Sequence, residues 1–338
     1  MPSPRFVHLR FHSEYSITDG IVRIDPMIHA VLEGGGAAVG ISDLMNVFGG
    51  LRFYTHALAA GLKPILGCDL KVINSKDLNK PFRLGVLCMN HEGYHSLSVL
   101  LTKAFLTNND AARGLVDPKW FDDGGSEGLI ALSGAAQGEL GSLLLGKKWS
   151  LAHEAAERFK AQFPGRFYVE LQRAGRPTDE LATARLANFA VEEQLPVVAT
   201  HPIQFLKPED FEAHEVRCSI AEGYTLQDPR RVKRYTPEQY LKSEAEMCEL
   251  FADIPVAIEN TVEIAKRGNL AGVLSKPQLP LFPTPDGMSL DDYIDQLSKE
   301  GLQKRLEFLY PDPKVLEEKR PPYDKRICLL YTSPSPRD

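Results

Sequence analysis

Phe6-Val7-His8-Leu9-Arg10-Phe11-His12-Ser13, followed by Asp19-Gly20, is the stretch on which the reading of this chain turns. Its alternation of apolar and polar residues predicts an extended strand, and on a strand side chains two apart share a face. His8, Arg10 and His12 are therefore expected to point into one cavity. Two imidazoles and a carboxylate would invite zinc or manganese. A guanidinium stays protonated and offers a metal no lone pair, so Arg10 argues against a metal at its own position.

Six further short apolar runs follow: 39–43, 65–73, 84–89, 129–133, 167–171 and 197–200. Amphipathic stretches at 25–32, 51–60, 94–105, 151–163 and 179–193 lie between most of them. Seven strands with interposed helices predict an α/β fold with a parallel, barrel-like sheet. Several strand runs end in a polar residue, namely His12, Asp43, Ser133, Glu170 and Thr200, as the active rim of such a barrel requires. Beyond Phe205 the strand signals stop. Helices are predicted at 208–221, 243–251, 256–266 and 290–309, the second opening on the capping-box pattern Ser243-Glu244-Ala245-Glu246. Prolines crowd 277–287 and mark a linker. A charged segment runs from there to Arg326.

Composition excludes several classes. The 338 residues carry 39 basic and 45 acidic side chains, a net charge of −6, which argues against a surface built to grip duplex DNA. The basic run Arg230-Arg231-Val232-Lys233-Arg234 reads as a solvated loop. Five cysteines without a CxxC pair favour reduced thiols in a cytoplasmic protein. No apolar run is long enough to span a membrane, so none is expected as a partner. The last stretch, 328–338, has no apolar period; it resembles translated sequencing adapter, with a natural disordered Ser/Pro tail as the alternative.

Three segments carry a family resemblance: HLRFHSEYSITDG at the start, YLKSEAEMCELFADIPVAIENTVEIAKR over 240–267, and LPLFP over 279–283. Together they resemble the alpha-subunit family of bacterial DNA polymerase III over about residues 5 to 326. The resemblance implies a PHP domain over 1–270, with a distorted seven-stranded barrel at 5–205 and a helical part at 206–270. An incomplete start of the polymerase palm at 271–327 and the non-native tail at 328–338 would complete the chain.

PHP domains that keep their metals ligate them from strand ends. Set against that pattern, the opening His-x-His stands here as Arg10-Phe11-His12, and the Asp-Gly acid is Asp19. The Asp-His after the second strand is Asp43-Leu44. The glutamate after the third is shortened to Asp69. Histidine positions are taken by Arg83 and Ala174, and the final Asp-x-His by Pro202-Ile203-Gln204. The vestigial site implied is thus His8, Arg10, His12, Asp19, Asp43, Asp69 and Arg83, with Arg10 and Arg83 neutralising carboxylates that once held metal. No metal is expected, His12, Asp43 and Asp69 being only weak candidates, and no catalytic residue is assigned. Plainer readings stand beside these: His8 and His12 as polar strand residues, Asp43 as a turn cap, Glu170 as a partner of Arg173 or Arg176. His91, His95, His201 and His214 are expected on surfaces or helix faces.

The implied function is DNA-directed DNA synthesis in chromosome replication by the full-length nucleotidyltransferase, with Mg2+. Its metal-binding Asp-x-Asp is absent from these residues, so the fragment is expected to be catalytically silent and without a cofactor of its own. The implied partners are the proofreading exonuclease subunit and the rest of the polymerase chain, with DNA reached only through other domains. The alternative is a metal-dependent PHP phosphoesterase or 3'-5' exonuclease.

Overall fold

The computed structural model describes residues 5–107, 114–271, 281–285 and 287–332, the side chains of the last helix as far as Ile327. Residues 272–280 and 286, which include part of the linker predicted at 277–287, and 333–338, within the predicted tail, lie outside the described residues. The chain divides into two compact units, Met1–Leu274 and Ser275–Asp338.

In the first unit, strands β1 (Ala38–Ile41), β2 (Lys63–Val72), β3 (Phe82–Cys88), β4 (Leu129–Leu132), β5 (Phe167–Gln172) and β6 (Val197–Thr200) form one sheet in chain order. Helices α1 (Ile24–Glu33), α2 (Gly50–Ala59), α3 (His91–Leu106), α4 (Glu139–Leu145), α5 (Trp149–Gln162) and α6 (Asp179–Glu192) fill the connections. Then come α7 (Phe211–Glu222), α8 (Glu244–Leu250) and α9 (Pro255–Arg267). The second unit holds α10 (Leu290–Leu309) and α11 (Pro313–Thr332).

The sheet is mixed rather than parallel throughout. Strand β3 runs antiparallel to both β2 and β4, while the other neighbours are parallel. The cause is connection length: only 73–81 separates β2 from β3, too short for the dozen or more residues that a parallel crossover needs. Six strands are assigned where seven apolar runs occur. The opening run is extended but divides its hydrogen bonds between two neighbours. His8 and Phe11 carbonyls accept from Gly40 and Ser42 at 2.7 and 2.8 Å, whereas His12 N–H donates to Ile203 at 3.1 Å. It thereby joins β1 to the chain just past β6. Gly40 permits this closeness, since a Cβ there would overlap the Leu9 backbone.

Strands β1, β4 and β5 are buried along their whole length, as expected where helices cover a sheet. The core interleaves Val86, Leu129, Ala131 and Val169 with Leu97, Leu140, Phe159 and Phe189 from the helices. Short α4 escapes sequence reading because seven residues give too little periodicity. Helix α11 also departs from the expected charged segment, and it carries Pro321 and Pro322 inside. Packing decides there: Arg320 donates to Gln303 of α10 at 2.7 Å, and the Tyr310 and Tyr323 hydroxyls meet at 3.0 Å.

Candidate functional site

The strand tips converge on a polar cavity of about 70 Å³ lined by Arg10, His12, Asp19, Asp69, Arg83, Gln172, Arg176, Gln204, Arg234 and Tyr235. A larger groove of about 640 Å³ beside α9 is walled by apolar side chains such as Val7, Phe251 and Ile258 and shares no residue with it.

Asp69, on β2, is the hub. Its Oδ2 takes Arg10 Nη2 at 2.8 Å, Arg83 Nη1 at 3.2 Å and His12 Nε2 at 3.5 Å. Both Arg10 and Asp69 are almost wholly buried, so the pair is screened little by water. Burial opposes ionisation of Asp69, but Arg10 and Arg83 outweigh it and hold the carboxyl well below its ordinary range. The room for the guanidinium comes from β3: at Gly85 a Cβ would overlap Arg10 Nη1. Arg10 Nη1 also faces Glu170 Oε2 at 3.6 Å. Glu170 is itself fully buried and held by Gly134 N–H at 3.0 Å, Gln172 Nε2 at 3.0 Å and the Thr200 hydroxyl at 2.5 Å.

His12 bridges two acids, with Nδ1 against Asp19 at 3.1 Å and Nε2 toward Asp69. Burial disfavours its charged form, yet the two carboxylates prevail and lift its pKa to about 9. Asp19 is correspondingly lowered despite its burial, with the Ser16 hydroxyl donating at 2.5 Å and Tyr235 at 3.1 Å. Asp43 sits apart from these cations. Its oxygens accept from Ser13 N–H at 2.6 Å and Ser13 Oγ at 2.8 Å, and burial raises its pKa to about 6.

Of the seven residues singled out from sequence, Arg10, His12, Asp19, Asp69 and Arg83 line the cavity. Asp43 adjoins it through Ser13. His8 does not enter it. Its Nε2 donates to the Lys242 carbonyl at 2.7 Å, its ring lies edge-on to Phe6, and burial pushes its pKa down to about 4. The strict two-residue alternation fails because the opening run advances three residues, His8 to Phe11, while its neighbour advances two, Gly40 to Ser42. His201, just past β6, is fully buried, contrary to the surface or helix-face placement expected; His214 lies on α7 with its ring fully buried, and His91 and His95 are exposed. His214 donates to the Asp19 carbonyl at 2.8 Å and so braces the site from α7.

Glu170, Gln172, Arg176, Arg234 and Tyr235 belong to the cluster as well. Arg173 pairs with Asp253 at 2.6 Å, not with Glu170. The segment after α7 brings Tyr235 and Arg234 over the mouth, anchored by buried Arg231 on Glu215 at 2.7 Å. The basic run 230–234 is therefore only partly a solvated loop. The only sequence signal for this was its density of charge.

These residues do not suit a metal. Two guanidinium groups crowd Asp69 Oδ2 and put fixed positive charge beside the carboxylate a cation would need. Among the described residues, no three His, Cys, Asp or Glu side chains are grouped to hold one. No helix among them is long and apolar enough to cross a membrane.

Comparison with known proteins agrees with this architecture. A PHP domain is matched at residues 8–174. The chain is 47% identical over 329 residues to DNA polymerase III subunit alpha of Neisseria meningitidis serogroup B, covering 97% of this chain and 29% of that protein. The Vibrio cholerae and Escherichia coli K12 alpha subunits are each 43% identical over 327 residues, covering 97% of this chain and 28% of theirs. Among solved structures, a two-domain protein from Bacteroides vulgatus containing a predicted PHP-like metal-dependent phosphoesterase is similar at 11% identity. Its TM-score is 0.40, with 76% of this chain and 62% of that chain covered. The chain thus spans under a third of the curated relatives it matches; over that stretch it is 43–47% identical to DNA polymerase III alpha subunits, and a PHP domain is found within it at residues 8–174.

Proposed function

We propose that this chain serves chromosome replication as the PHP-bearing part of a DNA polymerase III alpha subunit, as a non-catalytic scaffold that docks the proofreading exonuclease subunit. The observation that carries this reading is the double-arginine clamp on Asp69, which puts fixed positive charge where a hydrolase needs an ion and a water. A barrel freed from admitting substrate can keep its packed core and offer its outer surface to a partner. Nucleotidyl transfer, with its Mg2+, belongs to the rest of the polymerase.

The test has two arms. Purified chain mixed with the exonuclease subunit is run on size-exclusion chromatography, where co-migration supports docking. The same protein is given a generic phosphodiester with manganese, where no turnover is the outcome consistent with a scaffold. Turnover with stoichiometric bound metal would restore the phosphoesterase reading.

A further inference from the structure

The cavity is not closed on itself. Arg10 Nε and Nη1 and Arg176 Nε are buried without a hydrogen-bond partner, although Arg10 is only 5% exposed. Gln204 adds to this excess of donors. Its amide contacts His12 Nδ1 at 3.3 Å, but that nitrogen already carries the proton it gives to Asp19. Two donors cannot face each other, so the amide turns its oxygen to His12 and its NH2 to the cavity. Asp69 Oδ1 is an acceptor buried without a partner, as is Gln204 Oε1 before the amide is turned.

Charge points the same way. Arg10, Arg83, Arg176 and Arg234 converge on a space lined by two carboxylates, Asp19 and Asp69. Glu170 backs Arg10, and Glu222 takes one nitrogen of Arg234 at 2.9 Å. With the His12 imidazolium, five cations stand against these four carboxylates; unpaired buried donors cost free energy, and water alone would leave the extra charge uncompensated. The volume of about 70 Å³ is several times the ~15 Å³ that one water requires and is enough for one four-oxygen anion, not for a nucleotide.

We propose that the cavity among the strand tips is a receptor for hydrogen phosphate, held without hydrolysis by Arg10, Arg176, Gln204 and Arg234. The anion takes the place where metal-bearing relatives would put cations, so the polarity of the site is inverted. Arginine suits the role because its planar fork matches phosphate oxygens. The protonated oxygen of the anion donates to Asp69 Oδ1, which sulfate has no hydrogen to satisfy. Phosphate should therefore be preferred over sulfate.

The proposal rests on the metal-free reading of the cavity, and the experiment separates the two. The purified chain in EDTA is titrated with inorganic phosphate at constant ionic strength by calorimetry and 31P NMR. The expected result is saturable one-to-one binding without consumption of phosphate, at least about tenfold tighter than sulfate or pyrophosphate. Arg176→Gln and Arg234→Gln, at the half-open mouth, are expected to weaken it about tenfold each while leaving the unfolding transition in phosphate-free buffer in place. They keep the test valid should Arg10→Gln fail to fold. Absence of saturable binding, equal affinity for sulfate, or unchanged affinity in both variants would overturn the proposal and leave the scaffold reading intact. Phosphate binding that appears with manganese and vanishes in EDTA would overturn both.

Discussion

At the residue scale the cavity is held together by buried ion pairs centred on Asp69. Removing one member of such a cluster leaves the others charged and desolvated, which costs far more than the pair contributes. Asp69→Leu should lower stability in urea by about 3–5 kcal/mol, and adding Arg10→Met should recover part of that loss. A double-mutant cycle reads the difference; additive losses would mean that the two side chains do not interact. The pH profile follows from four shifts, two upward and two downward. His12 is raised to about 9, so its contribution is complete below the ordinary histidine range and is lost as pH climbs through 9. Asp19 and Asp69 are lowered, so theirs is present at neutral pH and is lost on acidification below the ordinary carboxylate range. Asp43 is raised to about 6 and works in reverse: its penalty builds as pH rises from the ordinary carboxylate range to about 6 and is complete above that. Melting temperature against pH should fall on both flanks, His12→Gln should flatten the alkaline one, and Asp43→Asn should gain more over the parent at pH 8 than at pH 4.

At the element scale, the cluster depends on backbone that makes room for it. Gly85 on β3 is an ordinary strand residue except that Arg10 Nη1 fills the place of its side chain. Gly85→Ala should displace the guanidinium from Asp69 and destabilise by about 1–3 kcal/mol, as overpacking does. Equal stability of the variant in urea would show that the guanidinium can shift without loss. Helix α8 provides a control away from the cavity. Ser243 Oγ accepts from Glu246 N–H, and the Glu246 side chain returns to Ser243 N–H at 2.7 Å. Ser243→Ala should cost about 1 kcal/mol, measured the same way, without altering the pH profile. That capping box was legible from four letters of sequence, because its geometry is local. The antiparallel β3 was not, since it follows from a short connection whose meaning appears only once both flanking strands are placed.

At the scale of the whole molecule, Met1–Leu274 and Ser275–Asp338 are separately compact, and the strand tips, their bracing helices and the covering segment all lie in the first. A chain ending at Leu274 should keep the same pH-dependent unfolding transition, which differential scanning calorimetry would check. Loss of that transition would show that the second unit supports the first.

The short apolar runs, most of the helices between them and the family resemblance were legible in the sequence alone, because apolar periodicity, caps and short motifs are local. Arg10 and Asp69 could be named from it as members of one site. Only the tertiary structure decided that His8 leaves the cavity, that Glu170 stands behind Arg10, and that Tyr235 and Arg234 return across the mouth from far along the chain. Those placements depend on where strands exchange neighbours and where a loop is latched, and such long-range geometry leaves no periodic trace in the order of residues.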